Sequence, residues 1–279
     1  MKNVLLPTDF SENSLNAIKY AMDFFGETAC NFYLLHVIKL NTVDLADSPY
    51  LMANVAIEDL YTKPIKTRLR ETIKQVANKF SNNKKHKFYT LTDYSFLVDS
   101  IRHHVNEKKI DMIVMGTKGA SGLKRIIVGS NTGDVITKVH CTTLVVPENA
   151  KFHEIKEIAF PTDYSMLYNI NVLQPIVDTI EDNDAALRVL HITKKDGFLN
   201  SDQERNKELL EDYFNGQEHS FHFLTNKKVE DAVQCFVESR NIDMITMVAK
   251  NLNYFQQILF HSKIENISYH TDVPFLVLH

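Results

Sequence analysis

Apolar positions along this chain alternate between two periods. Unbroken apolar runs fall at residues 4–6 and 112–115, and mostly apolar runs at 32–37, 88–91 and 143–146. Between them apolar residues recur at helical spacing: Leu15, Ile18, Met22 and Phe25; Ile65, Leu69, Ile73, Ala77 and Phe80; Leu97, Val98, Ile101 and Val105. The runs predict strands buried on both faces, and the spaced sets predict helices with one apolar side. Ser11 or Ser14 is placed to cap the first helix, and Ser130 to cap a fourth that runs to Val139. Pro64 is expected near the first turn of a helix that follows an irregular segment over 41–64. Strands alternating with helices predict an α/β fold, a parallel sheet with helices on both faces.

The pattern then repeats. Pro7-Thr8-Asp9-Phe10-Ser11 returns as Pro161-Thr162-Asp163-Tyr164-Ser165, and Leu34-Leu35-His36-Val37 as Val189-Leu190-His191-Ile192. Ile110-Asp111-Met112-Ile113 returns as Ile242-Asp243-Met244-Ile245, and Leu144-Val145-Val146 as Leu276-Val277-Leu278. Four matches in one order mark a tandem duplication. His36 and His191 are 155 positions apart but Asp111 and Asp243 only 132, so the second copy is 23 residues shorter between those points. The polar stretch 148–156 is read as the join, dividing the chain into units 1–148 and 149–279. The last strands of the two copies are placed to pair with each other, which would cover both apolar edges and leave homodimerisation optional.

Composition narrows the partners. The 279 residues suit two domains, with 44% hydrophobic and 24% charged residues. A net charge of −4 creates no field that favours nucleic acid or an anionic membrane. The basic run Lys84-Lys85-His86-Lys87 reads as a solvated loop. Cys30, Cys141 and Cys235 form no C-x-x-C pair, which argues against a disulfide framework and for a reducing compartment. The first residues read as a strand rather than a leader, and no apolar run approaches the roughly 18 residues of a membrane helix. A cytoplasmic protein is expected, with no nucleic-acid or membrane partner.

The candidate chemistry lies beyond the fourth strand. Gly116 and Gly119 are followed, after nine residues, by Gly129-Ser130. Glycines let backbone N–H groups approach an anion, and a helix beginning at Ser130 would offer free N–H groups and a partial positive charge to phosphate. Asp9, just past the first strand, is placed to accept hydrogen bonds from a ribose or an adenine amino group.

An early P-T-D, then G-x-x-G, nine residues and G-S, resembles the nucleotide-binding branch of the universal stress proteins. The resemblance runs over nearly the whole chain and implies two tandem Rossmann-like domains of the adenine nucleotide alpha hydrolase-like kind, similar to two fused protomers. It implies ATP as ligand, with magnesium held through the phosphates. Pro7, Thr8 and Asp9 would line the adenosine end, and the Val37 backbone would meet the adenine. Met115 and Gly116 would border the ribose. Gly119, Gly129, Ser130, Asn131 and Thr132 would hold the phosphates. Asn131 departs from the hydrophobic residue common there, but the implied contact is through its backbone. Lys118, Lys124 and Arg125 are either phosphate partners or solvated loop charges.

The second copy keeps the spacing and loses the glycines: Val248, Asn251 and His261 stand at the places of Gly116, Gly119 and Gly129, while Asp163 and Ser262 persist. One nucleotide per chain, in the first unit, is expected. His36 and His191 read as structural residues. His103 and His104, about 100° apart around a helix, read as unable to share a zinc. No G-x-S-x-G, H-E-x-x-H or Walker motif occurs. The leading reading is an ATP-binding regulatory protein. A slow ATPase or nucleotidyl transferase lacks a general base at the phosphate end, and a scaffold without nucleotide is opposed by the intact motif.

Overall fold

Val4 and Leu6 point to one side of the first strand and Leu5 to the other, and all three are fully buried. That alternation sets the architecture, because helices must cover both faces of the sheet. The computed structural model describes residues 1–39, 54–79, 85–117, 129–193, 198–226, 228–250 and 272–279. The first half runs β1 (Lys2–Pro7), α1 (Glu12–Phe25), β2 (Cys30–Lys39), α2 (Asn54–Lys79), β3 (Lys87–Ser95), α3 (Leu97–Lys108), β4 (Met112–Gly116), α4 (Ser130–Lys138) and β5 (Thr143–Val146). The second runs β6 (Glu157–Pro161), α5 (Ile170–Asn183), β7 (Ala186–Thr193), α6 (Ser201–Tyr213), β8 (His219–Thr225), α7 (Val229–Arg240), β9 (Met244–Val248) and β10 (Phe275–Leu278).

All of these strands join one ten-stranded sheet in the order β3-β2-β1-β4-β5-β10-β9-β6-β7-β8. The order reads alike from both ends, so the repeat of the sequence is also a repeat of topology. Pairing is parallel throughout except at the centre. There β5 and β10 run antiparallel, with Leu144 opposite Leu276. Their eight residues are all buried, so neither strand leaves an open apolar edge at this point.

One face of the sheet carries a core continuous across both halves: Val4, Leu6, Ile18, Met22 and Leu69 cluster with Val146, Ile158, Phe160, Ile176 and Leu276. On the other face Leu5, Leu35 and Ile113 meet Ile101 of α3 and Val135 of α4, while Ala159 and Ile245 meet Val233 and Phe236 of α7.

Three details differ from the sequence reading, and a fourth refines it. The helix expected to begin beside Pro64 begins at Asn54, and Pro64 lies inside it. Proline's fixed φ suits a helix and forfeits one hydrogen bond, so the helix runs through it with a local defect. Its buried face is Thr62, Leu69, Thr72 and Val76; Phe80 lies outside the described residues. Ser130 does not cap α4 but is its first residue. Gly129 is the cap, with extended φ and ψ of −63° and 159°. The basic run is only partly a loop, since Lys87 opens β3 and the His86 ring packs edge-on to Phe32. The second copy's shortening falls partly on one helix, with 13 residues in α6 against 26 in α2.

Candidate functional site

Both P-T-D segments fold into the same turn. Thr8 N–H donates to the Leu35 carbonyl (2.8 Å), and Thr162 N–H donates to that of Leu190 (2.8 Å). Phe10 N–H then donates to Thr8 Oγ1 (3.0 Å) and Ser11 N–H to Asp9 Oδ1 (3.0 Å); the counterparts in the second half measure 3.1 and 3.0 Å. The turn forces Phe10 and Tyr164 to φ of 61° and 55°, a left-handed conformation uncommon for side chains of this size. Ring packing holds each aromatic in place. Phe10 lies 4.7 Å from the His36 ring, with the Arg68 guanidinium 4.2 Å from its centre, and Tyr164 stacks on His191 at 4.9 Å. Each histidine presents Nδ1 to the threonine carbonyl, at 2.7 and 3.0 Å. A carbonyl only accepts, so Nδ1 carries the proton. Burial pushes the His191 imidazole below its ordinary value. Both histidines serve the turn, as their positions in the sequence suggest.

Strand register aligns the adenosine-end candidates. Pro7 pairs with Leu35, and Leu5 with Ile113. Continuing these offsets places Asp9 between Val37 and Thr117, and Thr8 beside Gly116. The β2 ladder toward β1 stops at Leu35, although β2 runs on to Lys39, so the Val37 backbone faces the space beyond β1. Strand order reverses between β1 and β4, because β2 lies on one side of β1 and β4 on the other. Such a reversal opens a crevice at the carboxyl ends of the strands, where open α/β sheets bind ligands.

The N-terminus of α4 closes the far side of this crevice. Gly129 N–H donates to the Thr117 carbonyl, and Thr132 Oγ1 donates to the Gly116 carbonyl (2.7 Å). These bonds fasten the helix start to the strand end. Among the described residues no side chain caps the helix, and its first turn carries no acidic residue. Ser130 and Asn131 are exposed, so their N–H groups offer an anion site of the helix N-terminal kind. The Thr132 side chain is buried and committed to Gly116, which leaves only its backbone for a ligand. Met115 likewise has only its backbone free of the core, because its side chain packs with those of α3 and α4. Gly119, Lys118, Lys124 and Arg125 lie outside the described residues.

Asn13 is a residue the sequence reading missed. A Cβ at Gly116 would stand 2.7 Å from Asn13 Oδ1 and 2.8 Å from its Cγ. A side chain at Gly116 would therefore have to displace the Asn13 amide, whatever ligand approaches. The signal was a polar residue one turn before Ala17 on the buried face of that helix. In the second half Val248 is buried at the place of Gly116, and the helix has changed to admit it. α1 starts one residue after Ser11, but α5 starts only at Ile170, capped by Asn169. The counterpart of Asn13 is Leu167, which is 69% exposed. Tyr168 occupies the place of Ser14, and its hydroxyl lies 2.8 Å from Thr162 Oγ1, as Ser14 Oγ lies 2.9 Å from Thr8 Oγ1. From above, Gln203 and Asn206 of α6 donate to the carbonyls of Asp163 and Tyr164 (both 2.8 Å). Asn251, His261 and Ser262 lie outside the described residues.

Known proteins share this plan. The model of the universal stress protein family matches residues 1–147. One universal stress protein of Methanocaldococcus jannaschii is 33% identical over 150 residues, which cover 54% of this chain and 84% of the relative. A second from that organism is 34% identical over 156 residues, covering 52% and 94%. Among solved structures, a universal stress protein from Archaeoglobus fulgidus DSM 4304 aligns over 99% of this chain and 95% of its own, with a TM-score of 0.65 and 18% identity. A functionally unknown protein from Pseudomonas aeruginosa PAO1 aligns over 100% and 92%, at 0.58 and 13%. These two likenesses establish a shared fold over the full length. With its sequence motif, its duplicated turn and a family model matched over more than half of its length, the chain belongs to the universal stress protein family.

Proposed function

We propose that this chain is an ATP-binding regulatory protein of the stress-response class, holding one nucleotide per chain in a unit formed by residues 1–148. The observation that carries the reading is the juxtaposition at the β1/β4 reversal. There the register, continued, sets Asp9 between Val37 and Thr117 and Thr8 beside Gly116, and the α4 N-terminus, without a side-chain cap among the described residues, borders the same crevice. The adenosine end would rest on Pro7, Thr8, Asp9, the Val37 backbone and the backbone of Met115 and Gly116. The phosphates would meet N–H groups of Gly119, Ser130, Asn131 and Thr132, with Gly129 keeping the approach open. The first turn of α4 supplies no carboxylate, so magnesium would be held by the phosphates themselves.

The unit 149–279 is read as a fold partner without nucleotide. Buried Val248 and the side-chain cover from α6 fill the equivalent region. Its antiparallel strand contact with the first unit would pass occupancy of one crevice to the shared sheet. A cytoplasmic setting suits this reading.

Mass spectrometry of the purified chain and calorimetric titration with ATP test it. One equivalent is expected, lost on Gly119→Val and kept on Val248→Ala. Two equivalents of similar affinity, or none, would defeat it. Steady ADP release abolished by Ser130→Ala would move the reading to an ATPase.

A further inference from the structure

Away from the crevice, α3 carries a group of side chains that the nucleotide reading leaves unused. His103, His104 and Glu107 each present one ligand atom, all within 4.8 Å of one another. The angular separation of the two histidines argued against a shared ion, but Glu107 sits between them. One turn further along the helix, its Oε2 lies 3.3 Å from His103 Nε2 and 3.6 Å from His104 Nδ1. A tetrahedral zinc with bonds of about 2.0–2.1 Å holds its ligand atoms about 3.3 Å apart. Both carboxylate–imidazole separations are already near that figure. The His103 side chain is 66% exposed, so it rotates toward an ion with little hindrance.

His104 is only 6% exposed. Its Nε2 lies 2.8 Å from Oδ2 of Asp93 on β3, an oxygen that also accepts the Ser100 hydroxyl. A carboxylate only accepts, so Nε2 donates, and Nδ1 of the neutral ring is a lone pair. This Nδ1 is buried without a hydrogen-bond partner, and the Glu107 oxygen it faces is another acceptor. A cation between this Nδ1 and the Glu107 oxygen 3.6 Å away would engage both. An outer carboxylate that fixes the tautomer and aim of an imidazole is the usual support of a metal-ligating histidine. Lys108 Nζ holds the other Glu107 oxygen, Oε1, at 2.9 Å, which leaves Oε2 directed at the rings. That Lys108 bond, chiefly, draws the Glu107 carboxyl below its ordinary range.

We propose that His103, His104 and Glu107 form a surface site for a divalent transition-metal ion of the zinc class, with Asp93 as the positioning residue for His104. Two imidazoles and one carboxylate suit zinc, cobalt or nickel rather than magnesium or calcium. Three protein ligands leave a fourth position to water, so the ion is exchangeable.

The test uses the full chain without an affinity tag, titrated with zinc chloride by calorimetry and with cobalt chloride by visible absorption. One equivalent with a tetrahedral cobalt spectrum is expected. The dissociation constant should rise at least tenfold in His103→Ala and in Glu107→Gln, both at exposed positions that leave the fold intact. Asp93→Asn should weaken binding about 10–100-fold with unchanged stoichiometry. Absence of a stoichiometric equivalent in the parent chain, or parental affinity in His103→Ala or Glu107→Gln, overturns the proposal.

Discussion

Gly116→Ala tests whether the first turn of α1 is what requires a glycine at the end of β4. The new methyl carbon would lie 2.7 Å from Asn13 Oδ1, where ordinary contact begins at 3.4 Å, an overlap of about 0.7 Å. Asn13 is 7% exposed and sits in the first turn of α1, so its amide has little free space into which to shift. Overpacking of this kind costs about 1–3 kcal/mol. For a chain of this size that lowers the melting temperature by about 2–12 °C. The assay is a double-mutant cycle with Asn13→Ala, read by urea unfolding and by scanning fluorimetry. Removing the amide should cut the Gly116→Ala penalty by more than half, a coupling of about 1–2 kcal/mol. Equal penalties in both backgrounds would refute the steric requirement and return Gly116 to a purely ligand-facing role.

Three further outcomes follow from the same geometry. Ser11→Ala removes the side-chain cap of α1 and should cost about 1 kcal/mol, whereas Ser165→Ala should cost α5 no cap, because Asn169 holds that place; equal losses in urea unfolding would contradict the shortened helix. Burial, aided by the nearby His140 charge, holds the His279 imidazole down to about 4 from its ordinary 6.5. The unfolded chain therefore binds more protons in that window, so stability is full above about pH 6.5 and is lost as pH falls toward 4. His191 and His222 are shifted the same way by burial. The His279 share is at most about 3 kcal/mol, and His279→Gln should flatten the acid limb of melting temperature against pH; an unchanged limb would exclude it. Arg188 donates to both oxygens of Glu157 (2.6 and 2.8 Å) and to Ser220 Oγ (3.1 Å) across β6, β7 and β8. Arg188→Met should destabilise by about 1–3 kcal/mol, and Lys should not restore it, because an ammonium cannot make the planar two-point contact.

Much of the fold was legible because periodicity and burial share a cause. Val4-Leu5-Leu6 and Met112 to Met115 are continuous apolar runs, and each became a strand covered on both faces. Pro64 misled because proline is read as a helix start, while a long helix anchored by Leu69 and Val76 tolerates one missing hydrogen bond. For the histidine pair the local pattern carries less. Angular spacing around a helix describes where side chains leave the axis, not where a glutamate one turn away and an aspartate on the neighbouring strand bring their polar atoms.

By itself the sequence determined the duplicated α/β plan, the recurrence of P-T-D and the presence of three spaced glycines, since these follow from local period and repetition. Only the tertiary structure decided what Gly116 stands against. The strand reversal that brings Thr8 and Asp9 beside Val37, Gly116 and Thr117 depends on pairings between residues far apart in the chain. So does the contact of Asn13 with Gly116. The withdrawal of one helical turn that admits Val248 appears only when the two halves are compared in space. Long-range packing sets these relations, and no local pattern of residues encodes them one by one.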